Sequence, residues 1–165
     1  MPNTVENLKS AFAGESQANR KYLAFAKKAD EEGYPQVAKL FRAVAEAETI
    51  HAHNHFRALG EIKPTTENLQ AAIGGENYEV NTMYPPMLAG AEGESNKQAA
   101  RSFRWALEVE KVHEVLYRQA LAKLGKETAT FDYYICPVCG FTHEGPMTES
   151  CPVCSTLPQR FIQMK

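Results

Sequence analysis

The sequence predicts an all-α four-helix bundle followed by a small metal-stapled domain of short strands and loops. Three observations point to this. Residues 4–124 place apolar side chains at spacings of three and four between evenly spread turn signals, as one face of a helix requires. The two halves of that helical stretch repeat one another. All four cysteines, Cys136, Cys139, Cys151 and Cys154, fall in a tail of different composition that is rich in Pro, Gly and Thr. The boundary is set at 130/131, giving a bundle over 1–130 and a small domain over 131–165.

The first helix follows Asn3, whose capping box closes with Glu6, and it stops near Gly33. Pro35 suits the first position of the second helix, which ends at Gly60. Pro64-Thr65-Thr66 opens the third, which fades near Gly93. Ser95 with Gln98 predicts a capping box for the fourth, and Gly125 closes it. The short connections make consecutive helices mostly antiparallel neighbours, the Gly60–Pro64 connection being the exception whose geometry the sequence leaves open.

Each helix carries a glutamate in the middle of its apolar stripe: Glu15 with Leu8 and Phe12, Glu48 with Phe41 and Val44, Glu76 with Ile73 and Val80, Glu110 with Phe103 and Ala106. A charged group facing a core is costly unless it is paired or holds a metal. A shift of 62 residues superposes Tyr22 on Tyr84, Phe41 on Phe103, Arg42 on Arg104, Glu48 on Glu110 and His51 on His113. Glu15 meets Glu76 only with a shift of 61, so one residue has been gained between Glu76 and Tyr84. A π-bulge absorbs such a residue inside a continuing helix, and Pro85-Pro86 directly after it predicts a kink.

The bulk properties exclude several function classes. The 18 basic and 20 acidic residues leave a formal charge of −2 with no basic tract, so nucleic acid and anionic membranes are not expected partners. No apolar run is long enough to span a bilayer, and the N-terminal stretch lacks the apolar core of a signal peptide. A soluble cytoplasmic protein is expected.

Residues three apart share a helix face, so Glu48 with His51, Glu110 with His113 and Glu76 with Glu79 can each reach one centre. With Glu15 these give four inward helices carrying five carboxylates and two imidazoles. One Glu from each of two helices and a Glu-x-x-His from each of the others is the ligand pattern of ferritin-like di-iron or di-manganese bundles. Oxygen-rich ligation with imidazole suits iron or manganese. Two ferrous ions are neutralised by Glu15, Glu48, Glu76 and Glu110, which leaves Glu79 in excess. A redox-linked exchange between Glu79 and a neutral His51 follows from that surplus. Tyr22 and Tyr84, about two turns beyond their carboxylates, are placed either to hydrogen-bond the ligands or to pack in the core. His53 points off the stripe toward solvent, and His55 is expected to pack rather than ligate.

In the tail, Cys136-Pro137-Val138-Cys139 and Cys151-Pro152-Val153-Cys154 are separated by 11 residues. Four thiolates in two tight loops make a tetrahedral site for zinc or a single iron. The aromatics Phe131, Tyr133, Tyr134, Phe141 and Phe161 supply a miniature core with the metal as its staple. His143, between the knuckles, is expected to face solvent.

Taken together, AGESQANRKY around Glu15, the paired Glu-x-x-His motifs, GGENYEVNTMYP and the CPVCGFTHEG…CPVC tail resemble rubrerythrin over essentially the whole chain. The resemblance implies two non-haem irons, oxo- or hydroxo-bridged when oxidised, and a rubredoxin-like Fe(Cys)4 iron in the tail rather than zinc. By position it implies Glu48 and Glu110 as bridging ligands, Glu15 and Glu76 as terminal ones, His113 as a constant ligand, and Glu79 alternating with His51. It implies reduction of hydrogen peroxide to water in oxidative-stress defence. Electrons would come from an NAD(P)H-dependent reductase or rubredoxin, in a head-to-tail homodimer, where one chain's tail serves its neighbour, or in a higher homo-oligomer. Two other readings share parts of the pattern: an iron-storing ferroxidase, and a non-enzymatic module with a structural zinc ribbon.

Overall fold

A computed structural model describes residues 3–126 and 130–164; the middle of the expected linker after Gly125 lies outside the described residues. The chain divides into two compact units, one ending at Lys63 and one beginning at Pro64.

The first unit is a helical hairpin of α1 (Thr4–Glu31) and α2 (Pro35–Ala58). Both arms of the expected capping box form: Asn3 Oδ1 accepts from the Glu6 amide at 3.0 Å, and the Glu6 carboxylate accepts from the Asn3 amide at 2.9 Å. The turn uses Gly33 at φ +80°, a conformation that costs a residue with a Cβ. Between the helices the buried residues are alanines, Ala26 and Ala29 against Ala38, Ala45 and Ala52, which let the backbones approach closely. Phe12 stacks on Phe56 with centroids 4.9 Å apart. Asn19 donates to the Ala45 carbonyl at 2.7 Å and to Thr49 Oγ1 at 2.8 Å, so this polar group on the apolar stripe is satisfied across the hairpin.

The second unit holds α3 (Thr65–Tyr78), a π-helical turn (Glu79–Met83), α4 (Tyr84–Gly93) and α5 (Lys97–Lys123). The expected bulge therefore lies between Glu76 and Tyr84, where the extra residue is. Pro85 and Pro86 fall in the first turn of α4, where their missing donors cost least. The duplication is visible in the contacts. Tyr22 packs on Phe41 at 6.1 Å and Tyr84 on Phe103 at 6.4 Å. Arg42 pairs with Asp30 at 2.7 Å and Arg104 with Glu92 at 2.5 Å.

One expected cap is corrected. Asn96, not Ser95, caps α5, its side chain accepting from the Ala99 amide. Ser95 occupies the position of Gly33 in the repeat and takes the left-handed conformation, φ +58°, that ends the preceding helix. A residue with that backbone cannot also serve as an extended cap.

Beyond α5, β1 (Tyr133–Ile135), β2 (Thr142–Glu144) and β3 (Ile162–Met164) form an antiparallel sheet in the order β2-β1-β3. Its core is built on α5: Val109 is buried with Cys136, Phe141 and Cys151, and Val112, Cys139, Met147 and Phe161 pack around them. The run of α5 from His113 to Leu124, about 17 Å at 1.5 Å per residue, suggests a tail that ends far from its own helix carboxylates. The tail instead packs along the same helix, around Val109 and Val112.

Candidate metal centres

In the first unit Glu15, Glu48 and His51 bring one ligand atom each within 4.8 Å of one another. His51 Nδ1 lies 2.8 Å from Glu48 Oε2 and 3.9 Å from Glu15 Oε1. The three-residue spacing of Glu48 and His51 on α2 puts them on one face, and the close alanine packing of the hairpin brings Glu15 across to them.

In the second unit Glu76, Glu110 and His113 form the matching group within the same 4.8 Å limit. His113 Nδ1 lies 2.6 Å from Glu110 Oε2. Glu76 shows what this convergence costs without a cation. Burial, then sharing a proton with Glu110, then the charges of Glu110, Glu79 and Glu114 raise its carboxyl from the ordinary 4.5 to about 7. Glu79 is also raised, by burial and by the Glu110 charge, while His113 opposes the shift. Glu79 stands in this neighbourhood, at the start of the π turn, but does not join the tight group of three. Tyr84 is raised by burial and then by the charges of Glu79, Glu110 and Glu76, which places its ring beside the carboxylates. Tyr22 packs among Phe25 and Phe41 in its own unit.

The other histidines match their expectations in part. His53 is exposed and His55 half-buried. His143 is half-buried rather than free in solvent, with Nδ1 at 3.1 Å from the Gly145 carbonyl.

The four cysteines converge as a third group. Their two knuckles repeat one hydrogen-bond pattern. The Cys136 amide donates to the Phe141 carbonyl and the Cys151 amide to the Thr156 carbonyl, both at 2.8 Å, while Gly140 and Ser155 donate back to Cys136 and Cys151. Ser155 takes φ +61° where the first knuckle has Gly140 at +86°. Cross-knuckle Sγ pairs lie 3.4 Å (Cys136–Cys154) and 3.5 Å (Cys139–Cys151) apart, too far for disulfides and suited to ligands around one ion. Burial favours the neutral thiol of Cys136, but the amides of Cys139 and Val138 and the Thr156 hydroxyl reverse this and lower it to about 6. Burial raises Cys139 and Cys151. A metal ion supplies the charge that lets all four ionise together.

These donor sets fit iron. Carboxylates crowded enough to share a proton, facing imidazole nitrogens, call for cations with oxygen and nitrogen ligation, and the thiol cluster calls for a tetrahedral ion. The comparisons agree. Residues 6–121 match the family described as Rubrerythrin. Rubrerythrin-2 of Clostridium acetobutylicum is 40% identical, over 96% of this chain and 95% of its own length.

The chain belongs to the rubrerythrin family.

Nigerythrin of Nitratidesulfovibrio vulgaris is 39% identical, over 92% of this chain and 82% of its own. Solved structures of nigerythrin, in a mixed-valence and a fully reduced, all-ferrous state, align over 99% of this chain and 88% of theirs, each with a TM-score of 0.58. The fold class is accordingly the family's: helical hairpins with a small rubredoxin-like C-terminal domain. As a rubrerythrin-family protein the chain is a di-iron oxidoreductase of oxidative-stress defence with an additional Fe(Cys)4 centre. Among the described residues no helix is long and apolar enough to cross a membrane.

Thr142 was not foreseen. His113 Nε2 lies 3.0 Å from Thr142 Oγ1, in the second strand of the small domain. Asn77 and Glu114 were also missed; they meet at 3.2 Å beside the second carboxylate group, where Arg118 holds Glu114 ionised.

Proposed function

We propose that this protein is a peroxidase that reduces hydrogen peroxide to water, with electrons delivered through the Fe(Cys)4 centre. The overall balance is one peroxide, two electrons and two protons to two waters. One observation carries the reading: the thiol cluster is built onto α5, its core including Val109 and Val112, next to Glu110 and His113. An iron-storing ferroxidase has no use for such a cluster, and a structural ribbon has no need of the carboxylates.

Glu15, Glu48, Glu76 and Glu110 would hold the two irons with His113, Glu48 and Glu110 bridging, while Glu79 and His51 would exchange as ligands. When bound, the irons supply the electrons and Lewis acidity that O–O cleavage requires. The carboxylates supply the compensating negative charge, and Glu76, which holds a proton up to about pH 7 without metal, marks where charge is most concentrated. Tyr84, which feels the charges of Glu79, Glu110 and Glu76, would donate its hydroxyl to a ligand carboxylate. Functionally the chain divides at 130/131, and the electron donor is an NAD(P)H-dependent reductase or rubredoxin in the cytoplasm. The protein acts as a homodimer; a monomer with full peroxidase activity would defeat that part.

The test is anaerobic, NADH-coupled peroxide turnover on iron-loaded protein, compared with Cys151→Ser. Turnover through the physiological donor should be lost in the variant. Equal rates would remove the small domain from the electron route, and absence of turnover in both would remove the peroxidase.

A further inference from the structure

We propose that Thr142 is the residue that makes His113 a fixed iron ligand, by holding its imidazole from the small domain with Nδ1 bare toward Glu110. The inference rests on the di-iron reading and adds a positioning residue to it.

Proton counting fixes which imidazole nitrogen is bare. A threonine hydroxyl has one hydrogen to donate. Thr142 spends it on the Gly140 carbonyl, 3.1 Å away, inside the first cysteine knuckle. Toward His113 Nε2, at 3.0 Å, its oxygen can therefore only accept. Nε2 carries the hydrogen, and in the neutral ring Nδ1 then presents a lone pair. That lone pair faces Glu110 Oε2 at 2.6 Å. A proton or a metal ion completes a contact of that length, and Nδ1 is the nitrogen left free to take the metal. A histidine that donates its second nitrogen to an oxygen acceptor is oriented and made more basic for the metal.

The repeat supplies the control. His51 has the same Glu-x-x-His setting, with Nδ1 at 2.8 Å from Glu48. Among the described residues its Nε2 has no hydrogen-bond partner, and its side chain is 53% exposed against 26% for His113. One imidazole is anchored at both nitrogens and its counterpart at one. The free one is the histidine expected to exchange with Glu79, and the anchored one is expected to stay. The small domain thus sets which of two similar motifs is rigid, in addition to holding its own metal. His113 and Thr142 also line an open cavity of about 510 Å³ with Leu69, Leu116 and Tyr117. Without the hydroxyl, exchangeable water from this cavity would take over at Nε2.

The experiment compares iron-loaded full-length wild type with Thr142→Val, which keeps the shape and removes the acceptor, and Thr142→Ser, which keeps the hydroxyl. In the all-ferrous protein the N–H of an iron-bound imidazole gives a paramagnetically shifted proton resonance, and its solvent exchange is measured together with retention of bundle iron against a chelator. In Thr142→Val the His113 N–H should exchange faster and bundle iron should be held about 10–100-fold more weakly. Thr142→Ser should behave as wild type. Wild-type exchange and retention in Thr142→Val would overturn the proposal, as would equal losses in both variants. Loss of the red Fe(Cys)4 absorption in Thr142→Val would assign the hydroxyl to folding of the small domain and overturn it too. Wild-type protein that loads only the tail iron would sink the di-iron reading beneath it.

Discussion

Burial and the neighbouring Glu110 carboxylate push the Glu76 carboxyl up, and that makes one residue a gauge of what the site is for. A carboxyl held at about 7 in the fold, against 4.5 ordinarily, binds its proton more tightly folded than unfolded. Its contribution to stability is fully present below about pH 4.5 and is lost as pH rises through about 7. At pH 8 the metal-free fold therefore carries an ionised Glu76 among Glu79, Glu110 and Glu114. Glu76→Gln removes that penalty and also removes a proposed ligand. The metal-free variant should melt above metal-free wild type at pH 8, the gap should shrink toward pH 5, and the iron-loaded variant should lose iron more readily. Thermal melts at both pH values, with and without iron, check this. A variant less stable than wild type without metal at pH 8 would show that Glu76 is there for packing.

At the scale of elements, the π turn is where the repeat is broken. Asn19 superposes on Asn81 with the 62-residue shift and Glu15 on Glu76 with 61, so the added residue lies between Glu76 and Asn81. Removing Glu79 leaves Glu76-Asn77-Tyr78-Val80-Asn81 opposite Glu15-Ser16-Gln17-Ala18-Asn19, in the spacing that α1 accommodates as regular helix. Deletion of Glu79 should convert the π turn to α-helix and keep the Tyr84–Phe103 and Arg104–Glu92 contacts, because α1 and α2 keep Tyr22–Phe41 and Arg42–Asp30 without a bulge. The protein should stay folded and lose the proposed exchange of ligands between redox states, read as identical metal coordination in oxidised and reduced crystals. Unfolding of the deletion variant would mean that the bulge is structural. This element was legible in the sequence because it follows from counting residues within one helix. The capping box at Asn3, the Pro35 start and the glycine stops were legible for the same reason: each depends on neighbours a few residues away. Ser95 misled because Ser is both a frequent cap and, in this repeat, the stand-in for Gly33. Thr142 could not be read at all. Its contact joins β2 to α5 across 29 positions and depends on how the small domain packs on that helix.

For the whole molecule, the proposed electron route gives the small domain an electronic duty that is separable from its mechanical one. Among the described residues, half of its buried cluster is thiol: Cys136 and Cys151 are 1% and 2% exposed, beside Val109 and Phe141. So few apolar groups do not hold a domain of this size without a staple, and the metal is that staple. Zinc takes the same four thiolates in the same tetrahedral geometry but has no redox chemistry. With zinc in the Cys site and iron in the carboxylate site, the protein should keep its thermal midpoint, and amide protection across Tyr133–Ile135 and Thr142–Glu144 should match the all-iron form. Reductase-linked peroxide turnover should fall to background. Cys151→Ser should lose both, with faster amide exchange in the sheet and on α5 around Val109–His113, while α1 and α2, which form a compact unit of their own, keep their protection. Turnover of the zinc form at the rate of the iron form would show that electrons reach the carboxylate irons without the cysteine site, and would leave that site with the mechanical duty alone.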